Sequence, residues 1–404
     1  MEALMYGGGN IGRGFIGMLF SASGYNVTIV DVVDAVIEAL NKNRKYPVRI
    51  ISNSGHTDID VLNVKAVDGK NGGAVAEAIA NVDIMATAVG VNVLKFIIPN
   101  IVAGIRLRKE RGLPPFNIII CENLMDANKV LEKMIKEHLN DDEKAWFDQN
   151  VGLVEASIGR MVPVQTEEMK DGDPLRVCVE KYGFLPVDKD AFKGEIPNIK
   201  NMVPFSPFDF YLKRKLYVHN LGHATCAYLG NILGLEYIYQ SIDKDEVYVI
   251  VRGAMEESAR ALSKKYNVKL EDILLHITDL LNRFTNAALK DTCQRVGGDP
   301  ARKLSPDDRL IGSAKLAVEM GLTPAYITIG AAAGLRRYLA EVDGCEQTLA
   351  DARRVLCEHC KLGADNELAE MILNMYQMII DGKTLAEIRR EADAVIAGKL
   401  VDVI

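Results

Sequence analysis

The chain has 404 residues, of which 49% are hydrophobic and 25% charged, and its formal net charge is −7. This length predicts two or three domains with ample core, and the absence of a basic block or stripe argues against nucleic-acid binding. No uninterrupted apolar run approaches the roughly 20 residues of a membrane span. The first residues, "MEALMYGGGNIGRG", lack the basic and apolar regions of a signal peptide. We therefore expect a cytoplasmic enzyme without membrane or nucleic-acid partners.

The cysteines are scattered and odd in number, as expected of reduced thiols in a cytosolic protein. They are Cys121, Cys178, Cys226, Cys293, Cys345, Cys357 and Cys360. Only "CEHC", which runs from Cys357 to Cys360 and includes His359, has the spacing of metal ligands or of a redox pair. No second pair completes a tetrahedral ligand set. We expect no metal site, and a zinc site on this segment is the alternative.

The first 31 residues read as strand, glycine-rich turn, helix and strand, which is a βαβ unit. The pieces are "EALMYG", "GGGNIGRGFIGMLFSASG" and "YNVTIVD". A helix is predicted over 34–43, buried strands over 82–90 and 117–124, and a strand leading into a loop over 151–163. Further strands are predicted within 175–192. Near-continuous apolar runs of this kind favour a parallel sheet that is covered on both faces.

The pattern changes near residue 200. A proline-punctuated connector, "NIKNMVPFSPFDF", is followed by segments with helical periodicity. These segments are 210–233, 245–266, 270–284, 314–322 and 368–382. The sequence therefore predicts an α/β domain over 1–200 and a mostly α-helical domain over 201–404.

Gly7, Gly9 and Gly12 fit the pattern G-x-G-x-x-G, and Asp31 stands 19 positions after Gly12. The glycines follow a strand and open a helix, which is the context of the dinucleotide-binding fingerprint of a Rossmann-type domain. The first permits a tight turn, the second lets the backbone approach a pyrophosphate, and the third lets helix and strand pack closely. The helix N-terminus, with Asn10 and Ile11, then favours an anion.

Asp31 is predicted to accept hydrogen bonds from ribose hydroxyls and to repel a 2′-phosphate, which favours NAD over NADP. The end of the next buried strand lies where the crevice of such a fold is expected, and its residues are further cofactor-binding candidates: Thr87, Ala88, Val89 and Gly90. Arg13 is a weaker candidate for a phosphate contact. The alternative is a glycine-rich turn without a ligand.

The segment "KLYVHNLGH" concentrates polar groups in an apolar helix. With α-helical periodicity, Lys215, His219, Asn220 and His223 fall within less than half of the circumference. Burying such a face without a function would cost several kcal/mol. A lysine with a lowered pKa can act as a general base, Asn220 can donate to a developing alkoxide, and His223 can hold the substrate or position the lysine. Alternatively, Lys215 extends to solvent and the histidines pack or cap.

Four segments, taken in order, resemble the polyol-specific long-chain dehydrogenases/reductases over roughly residues 1–340. They are "GGGNIGRGFIG", "CENL" at 121–124, "KLYVHNLGH" at 215–223 and "RVGGDPARKLSPDDRL" at 295–310. The resemblance implies an NAD(H)-dependent, zinc-independent oxidoreductase that acts on a polyol or sugar phosphate, as a monomer or homodimer. It is closest to the members that interconvert mannitol 1-phosphate and fructose 6-phosphate. An unphosphorylated polyol or a hexuronate (mannitol/fructose, mannonate/fructuronate) is the alternative, and an NAD(H)-sensing module is a remoter one.

The resemblance also assigns roles. Lys215 would be the general acid/base, Asn220 and Asn123 would contact the reacting oxygen, and His223 would complete the catalytic group. Arg295 and Lys303 would bind the polyol or its phosphate. Arg302 and Arg309 could add charge, or could form surface ion pairs instead.

The sequence departs from the family at two places. In the substrate-binding segment, "IGRMVP", Gly159 precedes Arg160 where the family often has aspartate. Lys213 stands where phosphate-specific members often have an acidic residue. Both changes make the expected substrate cleft less acidic.

Overall fold

The structure is a computed structural model that describes residues 1–124, 126–341, 346–363 and 366–401, so Cys345 lies outside the described residues. The chain divides into two compact units, Met1–Asp209 and Phe210–Ile404. Among the described residues, no helix combines the length and the apolar character needed to cross a bilayer.

All of the strands lie in the first unit. In chain order they are β1 (Glu2–Tyr6), β2 (Asn26–Asp31), β3 (Lys45–Ser52), β4 (Gly55–Leu62), β5 (Val64–Asp68), β6 (Ile84–Thr87), β7 (Phe116–Ile120), β8 (Val151–Glu155), β9 (Val177–Val179), β10 (Leu185–Asp188) and β11 (Met202–Phe205), as far as the chain is described.

Six strands form one parallel sheet in the order β5-β2-β1-β6-β7-β8. Numbered along the chain within this sheet, that order is 3-2-1-4-5-6, the order of doubly wound dinucleotide-binding folds. Each face of the sheet packs against its own hydrophobic cluster, one containing Phe15 and Ile29 and the other containing Leu4 and Ile118. The predicted Rossmann-type domain with a parallel sheet covered on both faces is confirmed.

The helices of this unit alternate with the strands of the large sheet. After a π-helical turn at Gly12–Gly17 they are α1 (Met18–Ala22), α2 (Asp34–Asn43), α3 (Gly72–Ala80), α4 (Leu94–Glu110), α5 (Ala127–Lys136), α6 (Asp141–Asn150) and α7 (Glu167–Lys170).

A second, three-stranded sheet has the order β4-β3-β9, with β3 and β4 antiparallel and β3 and β9 parallel. Sequence analysis missed the β3–β4 hairpin, whose strands meet across a turn that ends at Gly55 with φ of +124°. The sheet packs on the first π-helical turn, since a Cβ on Gly14 would lie 2.7 Å from Cγ1 of Val177. The remaining strands, β10 and β11, form a parallel pair.

The described part of the second unit is helical. Its helices are α8 (Asp209–Arg214), α9 (Leu221–Ile232), α10 (Ile238–Ile242), α11 (Asp245–Tyr266), α12 (Leu270–Phe284), α13 (Cys293–Val296), α14 (Pro300–Lys303), α15 (Ile311–Glu319), α16 (Ala325–Glu341), α17 (Leu349–Glu358), α18 (Glu367–Ile380) and α19 (Leu385–Val401), with a 3₁₀ turn at Ala287–Leu289. The predicted helices over 245–266 and 270–284 are confirmed to the residue, and the mostly helical second half is confirmed.

The polar segment that begins at Lys215 is not a regular α-helix. Lys215–Asn220 forms a π-helical turn between α8 and α9. Because π-helical hydrogen bonds run from residue i to i+5, such a turn holds more residues than an α-helical one. Lys215 and Asn220, five residues apart, therefore lie closer to one face than α-helical periodicity predicts. The expectation of α-helical geometry was wrong here, and the difference brings the lysine and the asparagine together.

Candidate active site

The glycine-rich turn is shaped by close backbone contacts. Gly7 has φ of +102°, and a Cβ there would overlap the carbonyl oxygen of Ala88. A Cβ on Gly12 would overlap the carbonyl oxygen of Gly7. Gly9 is exposed, with open space where a Cβ would stand. The turn therefore offers an accessible backbone surface in front of a helix N-terminus, which fits a pyrophosphate group.

The Asp31 carboxylate is fixed beside this turn. Its Oδ2 accepts a hydrogen bond of 2.8 Å from the Gly8 N–H, and its Oδ1 accepts bonds of 2.7 and 2.9 Å from the N–H groups of Val32 and Val33. Each oxygen keeps further acceptor capacity. The half-buried carboxylate is thus held at the end of β2, where the sequence predicts a contact with ribose hydroxyls.

Glu122 is a residue that sequence analysis missed. Its buried carboxylate follows β7 and accepts bonds of 2.9 and 2.8 Å from the N–H groups of Val89 and Gly90. These N–H groups belong to the turn after β6, which is a predicted part of the cofactor site. The neighbouring Asn123 is exposed. The acidic residue in "CENL" could have been suspected, because a charged side chain directly after a buried strand needs a partner.

Two arginines predicted to contact phosphate or substrate are bound to the main chain instead. Arg13 is buried and donates to the carbonyl oxygens of Gly8 and Leu175. Arg160 is 5% exposed, donates to the carbonyl oxygens of Glu180 (3.0 Å) and Gly14 (2.8 Å), and lies over the ring of Phe15. The contacts of Arg13 hold the main chain of the turn and do not support its predicted phosphate contact. The contacts of Arg160 are structural and do not support its predicted role in substrate binding.

In the second unit, Lys215 lies at the start of the π-helical turn. Burial, together with the nearby positive charge of Arg309, lowers the pKa of its ammonium group to about 8. Within the described parts of the chain, no oxygen accepts a hydrogen bond from this group. An amine in this state can exchange a proton near neutral pH.

The histidines of the segment lie against an aromatic ring. His219 is buried, and burial followed by the charge of Arg283 lowers its pKa well below the usual range, so it is neutral. The ring of His223 stacks on Phe284 with centroids 4.9 Å apart. The two histidine rings are 6.1 Å apart. Packing on Phe284 therefore orients His223 on the helix turn that follows Asn220.

Asp291 joins His223 to Arg295 and was also missed by sequence analysis. His223 Nε2 lies 3.3 Å from Oδ2 of Asp291, an ion-pair distance without the alignment of a hydrogen bond. Arg295 Nε donates to Oδ1 of the same carboxylate at 2.9 Å. Burial raises the pKa of Asp291, but His223 and Arg295 together bring it below its usual value. The structure thus links two predicted site residues through one carboxylate.

The remaining predicted cations lie on or near α14. Arg302 has a half-exposed side chain that pairs with Asp299 at 2.6 Å and with Asp308 at 3.4 Å. These contacts agree with the alternative given in the sequence analysis, in which Arg302 forms surface ion pairs. Arg309 is largely buried and pairs with Asp308 at 2.7 Å. Lys303 is 5% exposed, and burial followed by the charges of Arg309 and Arg302 lowers its pKa to about 8. Arg309 therefore acts electrostatically on both Lys303 and Lys215.

Comparison with known proteins gives the family. A model of the mannitol dehydrogenase Rossmann domain matches residues 1–201, and a model of the mannitol dehydrogenase C-terminal domain matches residues 208–393. The chain belongs to the mannitol dehydrogenase family. The resemblance found in the sequence is thus confirmed at the level of the family.

Solved structures share the fold of this mannitol dehydrogenase family member. A D-sorbitol dehydrogenase in substrate-free form is 16% identical, with a TM-score of 0.77, covering 96% of this chain and 94% of that chain. The Pseudomonas fluorescens mannitol 2-dehydrogenase in a ternary complex with NAD and D-mannitol is 15% identical, with a TM-score of 0.72, covering 98% of this chain and 94% of that chain. At these identities the likeness concerns the fold alone.

The two departures from the family pattern have local explanations. A Cβ on Gly159 would lie 3.1 Å from Cε1 of Tyr182, so the tyrosine ring takes the space of a side chain at that position. Lys213 donates to the hydroxyl of Tyr217 at 3.3 Å, and Tyr217 donates to the carbonyl oxygen of Asp307 at 3.0 Å. Lys213 is therefore engaged with the segment that precedes Arg309.

No metal centre is found around "CEHC" or elsewhere in the residues that the structure describes: no three His, Cys, Asp or Glu side chains are grouped as metal ligands. Cys360 is buried, and burial raises the pKa of its thiol to about 12.

Glu122→Gln should weaken NADH binding. A glutamine can offer only one carbonyl oxygen to the two N–H groups, and it turns an NH₂ group toward the other. Since hydrogen bonds to a charged group contribute about 1.5–3 kcal/mol, the Kd for NADH should rise about tenfold or more. Fluorescence titration measures it. Glu77→Gln, which alters an exposed ion pair with Arg111, is the control. An unchanged Kd in Glu122→Gln would show that Glu122 does not support the cofactor site.

The lowered pKa of Lys215 predicts a pH profile. If Lys215 is the general base that the sequence analysis expects, its neutral form appears as the pH rises through a pKa of about 8, so kcat for oxidation should rise there. The rate of reduction, which needs the ammonium form, should fall over the same range. Arg309→Met removes a positive charge near Lys215, so both midpoints should move to higher pH.

Arg302→Met is the matched control for this shift. It also removes a positive charge close to α14, but Arg302 influences the pKa of Lys303 and not that of Lys215. Its profile should keep the wild-type midpoints. Equal shifts in the two variants, or none in Arg309→Met, would contradict this electrostatic account.

Proposed function

We propose that this family member is an NAD-dependent, zinc-independent oxidoreductase that interconverts mannitol 1-phosphate and fructose 6-phosphate. One observation carries the proposal: Lys215, a half-buried lysine whose pKa is lowered to about 8, lies on the same π-helical turn as Asn220 and about two turns before His223. This is the combination of proton acceptor and amide donor that oxidation of an alcohol to a ketone requires.

In the oxidation direction, neutral Lys215 accepts the proton of the substrate hydroxyl. Asn220 donates its amide N–H to the same oxygen while alkoxide character develops, and Asn123 is proposed as a second donor. NAD⁺, when bound, supplies the hydride acceptor. In reduction, the Lys215 ammonium returns the proton to the carbonyl oxygen. His223, oriented by Phe284 and Asp291, is proposed to hold the substrate beside the lysine.

NAD(H) is proposed to bind along the first unit. The open backbone at Gly9, Asn10 and Ile11 fits the pyrophosphate, and the fixed Asp31 carboxylate fits the ribose hydroxyls and disfavours a 2′-phosphate. The turn of Ala88, Val89 and Gly90, held by Glu122, forms a further part of this site.

The phosphate assignment is supported by charge. Asp299 and Asp308 pair with Arg302 and Arg309, whereas Lys303 is buried with no described hydrogen-bond acceptor. An anionic group on the substrate would offset this ammonium group. Arg295, whose side chain is 54% exposed, is proposed as a second contact for the polyol or its phosphate.

An unphosphorylated polyol or a hexuronate is the second candidate. The two solved structures compared above are named for unphosphorylated polyols, D-sorbitol and D-mannitol. A hexuronate carboxylate would also offset the charge of Lys303. The candidate substrates would use the same cofactor and the same catalytic residues. They differ in the group at the far end of the substrate, which is a phosphate, a hydroxyl or a carboxylate.

Lys215→Ala should lower kcat by about 10²–10⁴, the usual contribution of general acid/base catalysis. Lys383→Ala is the matched control, because it removes the same side chain from an exposed ion pair with Glu387 and should leave kcat within a few-fold. Treatment with a chelator should leave the wild-type activity intact. A Lys215→Ala enzyme with nearly normal kcat would exclude this lysine as the acid/base group.

A substrate panel decides between the two candidate substrates. NADH oxidation should be fastest with fructose 6-phosphate and slower with fructose and fructuronate. Lys303→Met should raise the KM for fructose 6-phosphate by about tenfold or more and change the KM for fructose much less. A preference for fructose or fructuronate in wild type would favour the second candidate, and turnover of none of the three would argue against this activity.

A further inference from the structure

In the "CEHC" segment, the contacts of His359 lead to another element of the second unit. Cys360 is fully buried, and the segment lies at the C-terminal end of α17, where the helix dipole disfavours a thiolate. The residue between the cysteines, His359, points to a different element. Its Nε2 lies 2.6 Å from the carbonyl oxygen of Ala301, and its ring stacks on Tyr338 with centroids 5.4 Å apart and planes inclined by 14°.

Ala301 belongs to α14, the element that carries Lys303. This helix comprises only Pro300–Lys303 and is capped by Asp299 in the left-handed conformation. A single helical turn is not stable by itself, so its orientation depends on contacts with its surroundings. The carbonyl groups at the end of a helix lack intrahelical partners, and the imidazole N–H of His359 supplies one to Ala301.

His359 is itself held firmly. Its backbone N–H donates to the carbonyl oxygen of Val355 at 2.9 Å. The backbone N–H groups of Cys360 and Leu362 donate to the carbonyl oxygens of Val355 and Leu356, respectively. Stacking on Tyr338 restricts rotation of the ring. A rigid donor thus meets the main chain two residues before Lys303.

We propose that His359 is a positioning residue for substrate binding: its hydrogen bond to Ala301 fixes α14 and thereby the ammonium group of Lys303. The C-terminal helices would then contribute to binding of the substrate's anionic end without touching it. The kinetic part of this proposal rests on the proposed function of Lys303, whereas the structural link from His359 to Lys303 does not.

The test compares three variants with wild type. His359→Phe keeps a ring that can stack on Tyr338 but removes the donor. His359→Gln retains an N–H group at a comparable reach. Cys357→Ser changes the same segment without touching Ala301. With the panel substrate that wild type turns over best, His359→Phe should raise the substrate KM about five- to tenfold, the effect of losing one net hydrogen bond, with kcat nearly unchanged. His359→Gln should restore the KM, and Cys357→Ser should match wild type.

A double mutant tests whether the effect passes through Lys303. In a Lys303→Met background, His359→Phe should add no further increase in KM, because the group that it positions is already gone. Additive increases would overturn the proposal, as would a normal KM in His359→Phe or an equal loss in His359→Gln.

A chemical readout keeps the test independent of catalysis. Acetylation by acetic anhydride, followed by mass spectrometry, measures the reactivity of individual lysines. In His359→Phe, Lys303 should be acetylated several-fold faster than in wild type, while the half-exposed Lys315 should react at the same rate. An unchanged acetylation rate of Lys303 would overturn the positioning role, whatever the substrate panel shows. Failure of the enzyme to turn over any panel substrate would instead count against the proposed function and leave the acetylation test valid.

Discussion

The arrangement in the second unit depends on the cost of keeping an amine out of water. Lys215 and Lys303 both lose hydration on burial, and the fixed charge of Arg309 adds to the penalty on their protonated forms. Both amines therefore have a pKa of about 8, and a modest change in charge nearby can switch them between states. Asp308 holds Arg309 through its Nε, so this carboxylate indirectly fixes the charge that acts on both lysines.

The backbone places these groups through departures from regular geometry. The π-helical turn at Lys215–Asn220 brings together two side chains that an α-helix would separate, and a second π-helical turn begins at Gly12. π-Helical turns are uncommon and often occur at functional sites. At the turn that begins at Gly12, the absence of side chains allows close backbone contacts between Gly12 and Gly7, and Arg160 stabilises the turn through the carbonyl oxygen of Gly14. Arg13 and Arg160, both buried, therefore help to maintain the shape of this turn through hydrogen bonds to its carbonyl groups.

Much of the architecture could be predicted from the sequence, because it depends on local patterns. The glycine spacing, the acidic residue at the end of β2 and the apolar runs each predict an element of the parallel sheet, and helical periodicity predicts α11 and α12 with correct ends. The β3–β4 hairpin was missed because β4 is mostly exposed, so it lacks a clear alternation of buried and exposed residues. The π-helical turns were missed because no residue type marks them. Glu122 and Asp291 were missed because their partners are distant in sequence or are backbone groups.

Pairing of charges explains which cations remain available. Arg295 forms an ion pair with Asp291. Arg302 pairs with both Asp299 and Asp308, and Arg309 also pairs with Asp308. Arg13 and Arg160 donate hydrogen bonds to carbonyl oxygens, which carry no net charge. Among the predicted substrate-binding cations, Lys303 is the one for which no described residue supplies a counter-ion contact or a hydrogen-bond acceptor. A buried ammonium group without such a partner is costly, and a negatively charged substrate group would reduce that cost on binding. The same cost, when no substrate is bound, keeps the pKa of Lys303 low.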